Sequence, residues 1–154
     1  MSKPRVKLIN KVEPEEKVNT SVFTSCFIVD SKGNLILQKR GDNWPRYPGF
    51  ISMFGGEVNL GETPREGLVR ELKEELGVNV SSEHLRFLGL VTEASSNYEE
   101  QVYEYFWHAD IEFSVCNEGE IIRFASLSDL KSSARLMDDV VWAIDECKKL
   151  DLVK

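Results

Sequence analysis

Apolar positions along the chain fall into short runs of strand type and two longer segments of helical period. Residues 21–30 (SVFTSCFIVD) are dense in β-branched and aromatic side chains and read as a strand. Residues 31–34 turn it, and 35–39 (LILQK) return as its hairpin partner. A short strand over 7–12 precedes a charged turn over 13–17. Residues 40–50 (RGDNWPRYPGF) form a Pro- and Gly-broken loop carrying large aromatics, and 51–54 a short strand entering Gly55-Gly56. Residues 85–93 (LRFLGLVTE) and 101–110 (QVYEYFWHAD) read as two more strands, connected by 94–100. A further strand starts in 118–124, and 126–130 make a turn of helix. Over 137–150, Val140, Val141, Ile144 and Cys147 share one face, which predicts a closing amphipathic helix. Runs of strands with two principal helices predict an α+β fold, a mixed sheet flanked by helices.

The best-marked helix is the other one. Thr63 occupies an N-cap, Pro64 the first helical position and Glu66 the third, where it can close a capping box; Gly77 stands where a left-handed residue ends a helix. At about 100° per residue, Leu68, Val69, Leu72 and Leu76 form an apolar stripe, and Glu71, Glu74 and Glu75 an acidic one beside it. Carboxylates three and four apart repel at roughly 0.2–0.5 kcal/mol per pair. Two readings account for that cost: a solvated acidic face, or a site for a hard divalent cation with oxygen ligands. Gly67, a mid-helix glycine costing about 1 kcal/mol against alanine, is expected to leave room over the acidic face.

Composition narrows the class without naming a chemistry. The 154 residues fit one domain, 1–154, and 42% hydrophobic with 29% charged residues is ordinary for a water-soluble chain. No apolar run approaches the ~20 residues that span a bilayer, and the first residues lack a signal-peptide core. Cys26, Cys116 and Cys147 are odd in number and unpaired in spacing, so a reduced, cytoplasmic setting is expected. A net charge of −7 argues against a nucleic-acid polymer as partner, though not against a phosphorylated small molecule.

Spacing decides between the two readings of the acidic stripe. Gly56, Glu62, Arg70-Glu71-Leu72, Glu74-Glu75 and Gly77-Val78 match all nine specified positions of G-x5-E-x7-R-E-U-x-E-E-x-G-U, where U is a bulky aliphatic residue. The segment resembles the Nudix box, and the chain is identified on it as a Nudix hydrolase of MutT-like type. The resemblance implies an α/β/α sandwich around a mixed sheet. It also implies Mg²⁺- or Mn²⁺-dependent hydrolysis of a nucleoside diphosphate linked to another moiety. On the same basis Glu71 and Glu75 are metal ligands, Glu74 belongs to the cluster and the Gly56 carbonyl is a further ligand. Glu62 and Arg70 then hold loop to helix rather than metal. Phe54 stands where such enzymes usually carry proline.

Outside the box the resemblance reaches less far. Glu118, in Asn117-Glu118-Gly119-Glu120, is similar to the extra carboxylate that MutT-like members recruit as ligand or general base, which would make Glu74, Glu75 and Glu118 the catalytic carboxylates; a solvated loop acid is the alternative. Asp138-Asp139 with Trp142 resembles a D-D-x-x-W segment whose carboxyls read a purine edge, although two aspartates also suit a helix N-terminus and a tryptophan suits a core. Trp44, Tyr47 and Phe50 either stack on a base or cover the sheet edge. The length and the GETP in the box favour nucleoside triphosphate hydrolysis to monophosphate and pyrophosphate, oxidised (d)NTPs included. The rivals are a nucleotide-sugar or dinucleoside-polyphosphate hydrolase and a non-catalytic nucleotide-binding protein. A homodimer is compatible with the resemblance, with no interface signature in the sequence.

Overall fold

The sheet is organised on its central strand, β2 (Phe23–Val29), which is buried on both faces and correspondingly apolar over most of its length. In this computed structural model, residues 4–110, 119–133 and 135–153 are described. Their other strands are β1 (Val6–Asn10), β3 (Leu35–Lys39), β4 (Ile51–Ser52), β5 (Phe54–Glu57), β6 (Arg86–Glu93), β7 (Gln101–His108) and β8 (Glu120–Phe124). The order is β1-β6-β7-β2-β3-β4, with β5 added on β2 and β8 on β3. β2 runs parallel to β7 from Phe23↔Val102 to Val29↔His108, whereas β3 and β5 pair with it antiparallel. The sheet is therefore mixed.

Helices α1 (Pro64–Leu76) and α3 (Asp138–Lys149) lie on opposite faces, with the short α2 (Leu127–Lys131) beside α3. Alternation along β2 sorts the core: Cys26 and Ile28 join Leu68, Leu72 and Leu76 of α1, while Phe27 and Val29 join Val140, Ala143, Ile144 and Cys147 of α3. This is the α/β/α sandwich expected. Burying a leucine is worth about 1.5–3 kcal/mol. Leu68 and Leu72 are fully buried, so packing outweighs the repulsion along the acidic stripe and α1 forms.

The ends of α1 follow their sequence signals. Thr63 accepts from the Glu66 N–H at 3.1 Å, Glu66 accepts from the Thr63 N–H at 2.9 Å, and Gly77 closes the helix at φ 69°. Other expectations need correction. Residues 51–54 are not one strand: Met53 separates β4, paired to β3, from β5, paired to β2, because the two halves have different partners. Val141 is 45% exposed, and Ala143 takes its place on the buried face of α3. Gly67 does not open the acidic face; a Cβ there would lie 3.0 and 3.2 Å from the Val58 methyls, so its role is close helix–loop packing. A short 3-10 turn at Ser82–His84 had no signal in the sequence.

One glycine brings two backbones together just before the box begins. Gly55, at φ 154°, packs so closely on β2 that a Cβ would stand 2.0 Å from the Thr24 carbonyl oxygen. Relief requires β5 to separate from β2.

Thr63→Ala is expected to lower the unfolding free energy by about 1 kcal/mol, the usual worth of such a cap, in denaturant titrations with an unchanged slope. Gly55→Ala should cost several times as much, because rigid backbone rather than a movable side chain blocks the new methyl.

Candidate active site

α1 is a rigid element, capped at both ends and packed on β5, and its three box glutamates stand differently with respect to the Gly55-Gly56 segment. Glu71 lies directly over Gly56: a Cβ on Gly56 would fall 2.6–2.7 Å from the Glu71 carboxyl carbon and oxygens. Glu75 is 7% exposed and reaches the wall of a cavity of about 260 Å³ that Gly56 also lines. Glu74 is exposed on the outer side.

Arg70 gathers the surrounding acids. Its Nε and Nη2 donate to the two oxygens of Glu62 at 2.9 and 3.1 Å, and Nη2 also donates to the Glu57 carbonyl at 2.9 Å. Nη1 donates to Glu71 at 3.0 Å and to Glu74 at 3.2–3.3 Å. The bidentate bond to Glu62 fixes the loop before α1 to the helix itself. The Arg70 hydrogen bonds hold the Glu62 carboxyl below its ordinary pKa, and Glu62 raises that of Arg70.

The donors of this corner are all oxygens, which suits a hard divalent cation that keeps several waters and takes one or two carboxylates. Gly56 supplies the cradle, since any side chain there would collide with Glu71. Among the described residues no three His, Cys, Asp or Glu side chains already converge as a ligand group. Glu71 and Glu74 are engaged by Arg70 instead. The residues thus fit Mg²⁺ or Mn²⁺ in chemistry, with their carboxylates held by a cation of the protein's own.

The same cavity joins part of the box to residues far from it. Trp44, Tyr47, Gly56, Glu75 and Asp139 all line it. Trp44 lies 5.2 Å from the Arg40 guanidinium, and the Tyr47 hydroxyl donates to the Ser95 carbonyl at 2.9 Å. Arg46 donates to Glu100 at 2.9 Å, so the 40–50 loop is fastened to the turn after β6. Phe50 meets Tyr47 edge-on at 5.2 Å. Asp138 does not belong to the wall. It accepts from Arg5 Nε and Nη2 at 3.1 and 3.2 Å, which corrects its assignment to the base edge. Trp142 packs instead against Gly89. Glu118 lies outside the described residues; Glu120, at the start of β8, is exposed.

Sequence reasoning missed the acids on the sheet. Glu93, at the end of β6, accepts from the Asp139 N–H at 2.9 Å and lines the cavity. Glu104, in the middle of β7, is fully buried and accepts from Ser25 Oγ at 2.7 Å. Burial, and then the nearby Asp139, push Glu93 up to about 8 and Glu104 well above the carboxylate range. Burial raises Asp139 as well, opposed by a hydrogen bond from Glu104 and by Arg40. A glutamate inside the apolar run VYEYFW was the available signal, because a buried carboxyl requires a compensating partner.

Comparison with known proteins agrees with this arrangement. A match to the NUDIX domain family spans residues 20–140. An uncharacterised Nudix hydrolase of Clostridium acetobutylicum is 28% identical over 126 residues, 75% of this chain and 60% of that protein. The nucleoside triphosphatase NudI of Salmonella arizonae is 40% identical over 52 residues, 34% of this chain and 37% of its own length. This chain thus spans 60% and 37% of the length of these curated relatives. The MutT protein structure from Methanosarcina mazei superposes with a TM-score of 0.63 at 22% identity, over 84% of this chain and 91% of that one, a likeness of fold. With the domain match enclosing the complete box from Gly56 to Val78, itself built as a glycine cradle under a capped acidic helix, the chain belongs to the Nudix family.

Proposed function

We propose that the protein is a MutT-like pyrophosphohydrolase that converts a nucleoside triphosphate to the monophosphate and pyrophosphate, with oxidised (d)NTPs among its candidate substrates. One observation carries the reading: a single cavity is lined by Gly56 and Glu75 of the box and by Trp44, Tyr47 and Asp139 outside it. Phosphate chemistry and recognition of an aromatic base can share that space. The local likeness to a nucleoside triphosphatase supports the substrate class.

Glu71, Glu74 and Glu75, with the Gly56 carbonyl and Glu118, would hold Mg²⁺ or Mn²⁺. The ion supplies charge neutralisation on the phosphates and Lewis acidity. Arg70 keeps the loop in register with α1, so the carboxylates start from one fixed arrangement. A water oxygen attacks one phosphorus, the bridging P–O bond breaks, and the phosphate group on its far side departs with the bond's electrons. We assign the water's proton to Glu75, the box carboxylate that lines the cavity, with Glu74 and Glu118 as companions in the set. Trp44 and Tyr47 offer faces for the base, and the bonds of Tyr47 and Arg46 fasten their loop to the turn after β6. Cys26 and Cys147 are buried free thiols, consistent with a reducing, cytoplasmic setting.

Product analysis against canonical and oxidised (d)NTPs, nucleotide sugars and dinucleoside polyphosphates tests the reaction. Release of pyrophosphate with a monophosphate is expected; sugar phosphate or unequal nucleotides as the only products would replace the substrate class while retaining the site. Chelation by EDTA should abolish turnover and added Mg²⁺ restore it, and activity that survives chelation would overturn the metal assignment. Glu75→Gln should lower kcat by at least about a hundredfold, the low end of a general-base contribution, with the thermal transition unchanged.

A further inference from the structure

Residues 11–22 join β1 to β2 without forming a helix or strand, yet they are tied to three other parts of the fold. Lys11 Nζ pairs with Glu146 of α3 and donates to the Leu88 carbonyl of β6. Glu13 takes the guanidinium of Arg65, the second residue of α1: Nη2 donates to Oε1 at 2.6 Å and Nε to Oε2 at 2.8 Å. The Tyr105 hydroxyl of β7 donates to the same Oε2 at 2.9 Å. Arg65 Nη1 donates to the Ser82 and Leu85 carbonyls, and the guanidinium lies 5.3 Å from the centre of the Tyr105 ring. Farther along, the Val18 N–H donates to the Glu62 carbonyl at 2.8 Å, and the Val18 carbonyl accepts from the Gly61 N–H at 3.1 Å. Glu62 is therefore held twice, through its backbone by this segment and through its carboxylate by Arg70.

An exposed ion pair constrains little. The Glu13–Arg65 pair differs, because its side chains are only about a quarter exposed and every nitrogen of the guanidinium has an acceptor. Arg65 and Arg70, five residues apart, leave α1 about 140° apart around its axis at ~100° per residue. Two sides of the helix are thus clamped. Rotating α1 by about 10° would move a carboxylate about 6 Å from the axis by about 1 Å, more than the roughly 0.5 Å that a preorganised site tolerates. Arg70 does not serve alone, since two carboxylates that it engages, Glu71 and Glu74, are among those proposed to serve the ion. The Glu13–Arg65 clamp touches neither.

We propose that Glu13 is a positioning residue for the metal face of α1: by clamping Arg65 it fixes the rotation of the helix that carries Glu71, Glu74 and Glu75. The inference deepens the reading above and rests on its metal assignment. Burial, and then the neighbouring Glu13, push the Tyr105 hydroxyl up, so it remains a donor to the clamp.

Binding of Mn²⁺ alone to the full chain, followed by loss of the free-ion electron paramagnetic resonance signal, reads the site without turnover. Glu13→Ala should weaken Mn²⁺ binding about tenfold, the low end for residues that orient metal ligands. Arg65→Lys keeps the charge without the fork and should behave alike. Lys11→Met breaks the tie of the same segment to α3 and should leave Mn²⁺ affinity within about twofold of wild type, as an independent site requires. Thermal transitions in chelator report what each change costs the fold. Should Glu13→Ala lose its folded circular dichroism spectrum, Glu13→Gln, which keeps one acceptor oxygen, carries the comparison in its place, with weaker binding again expected. Unchanged Mn²⁺ affinity in the Glu13 variant would overturn the proposal, and so would an equal loss in Lys11→Met, the mark of general loosening. Wild-type protein that takes up no Mn²⁺ would overturn the metal assignment as well, so the two failures are told apart.

Discussion

A single guanidinium holds the acidic corner of this protein together. Arg70 stands among Glu62, Glu71 and Glu74 and also grips the Glu57 carbonyl. Without it, helix repulsion along the acidic stripe would add to the cost of an ordered loop before α1. With it, the charges become fasteners, and the planar fork sets direction as well as distance. The geometry also imposes a tension: of the carboxylates proposed to serve a divalent ion, Glu71 and Glu74 are already engaged by the arginine. Binding of such an ion would exchange cations at those two, while the bidentate hold of Arg70 on Glu62 fastens the loop independently of them.

The chain announced this corner clearly. The cap residues Thr63, Pro64 and Glu66, the apolar stripe and the terminal Gly77 are local features, and local physics suffices to place them. Paired strands were legible for the same reason, from density of β-branched and aromatic residues. The sequence was silent where a residue's meaning depends on a partner far along the chain. Glu93 looks like an ordinary polar position of its strand until α3 is laid across it; Asp139, 46 residues away, supplies the missing context. Asp138 was misplaced because adjacent residues on a helix diverge by about 100°, and Arg5 then claims the outer one. Gly67 was misread for want of knowing that Val58 lies beneath it.

The sheet explains why so distant a set of residues can share one cavity. β2 carries β7 along one side and divides its other side between β3 and β5. That division brings the glycine pair to Thr24 and Ser25, and Ser25 lies in register with Glu104 on β7. One strand thereby spaces the box from the buried acids.

The segment around β1 ties α3 and the turn after β6 to the sheet edge, and its reach along the chain has a kinetic meaning. Arg5 bonds Asp138 across 133 residues, Tyr98 bonds the Pro4 carbonyl across 94, and Lys11 pairs with Glu146 across 135. Loop closure must be offset before such contacts return any energy. The β2–β3 hairpin and the β6–β7 pair close short loops and form early by the same rule. On the ribosome, therefore, the box can fold around Arg70 while the neighbouring chamber still lacks a side. The chamber is completed only after α3, which brings Asp139 to its wall, has been made.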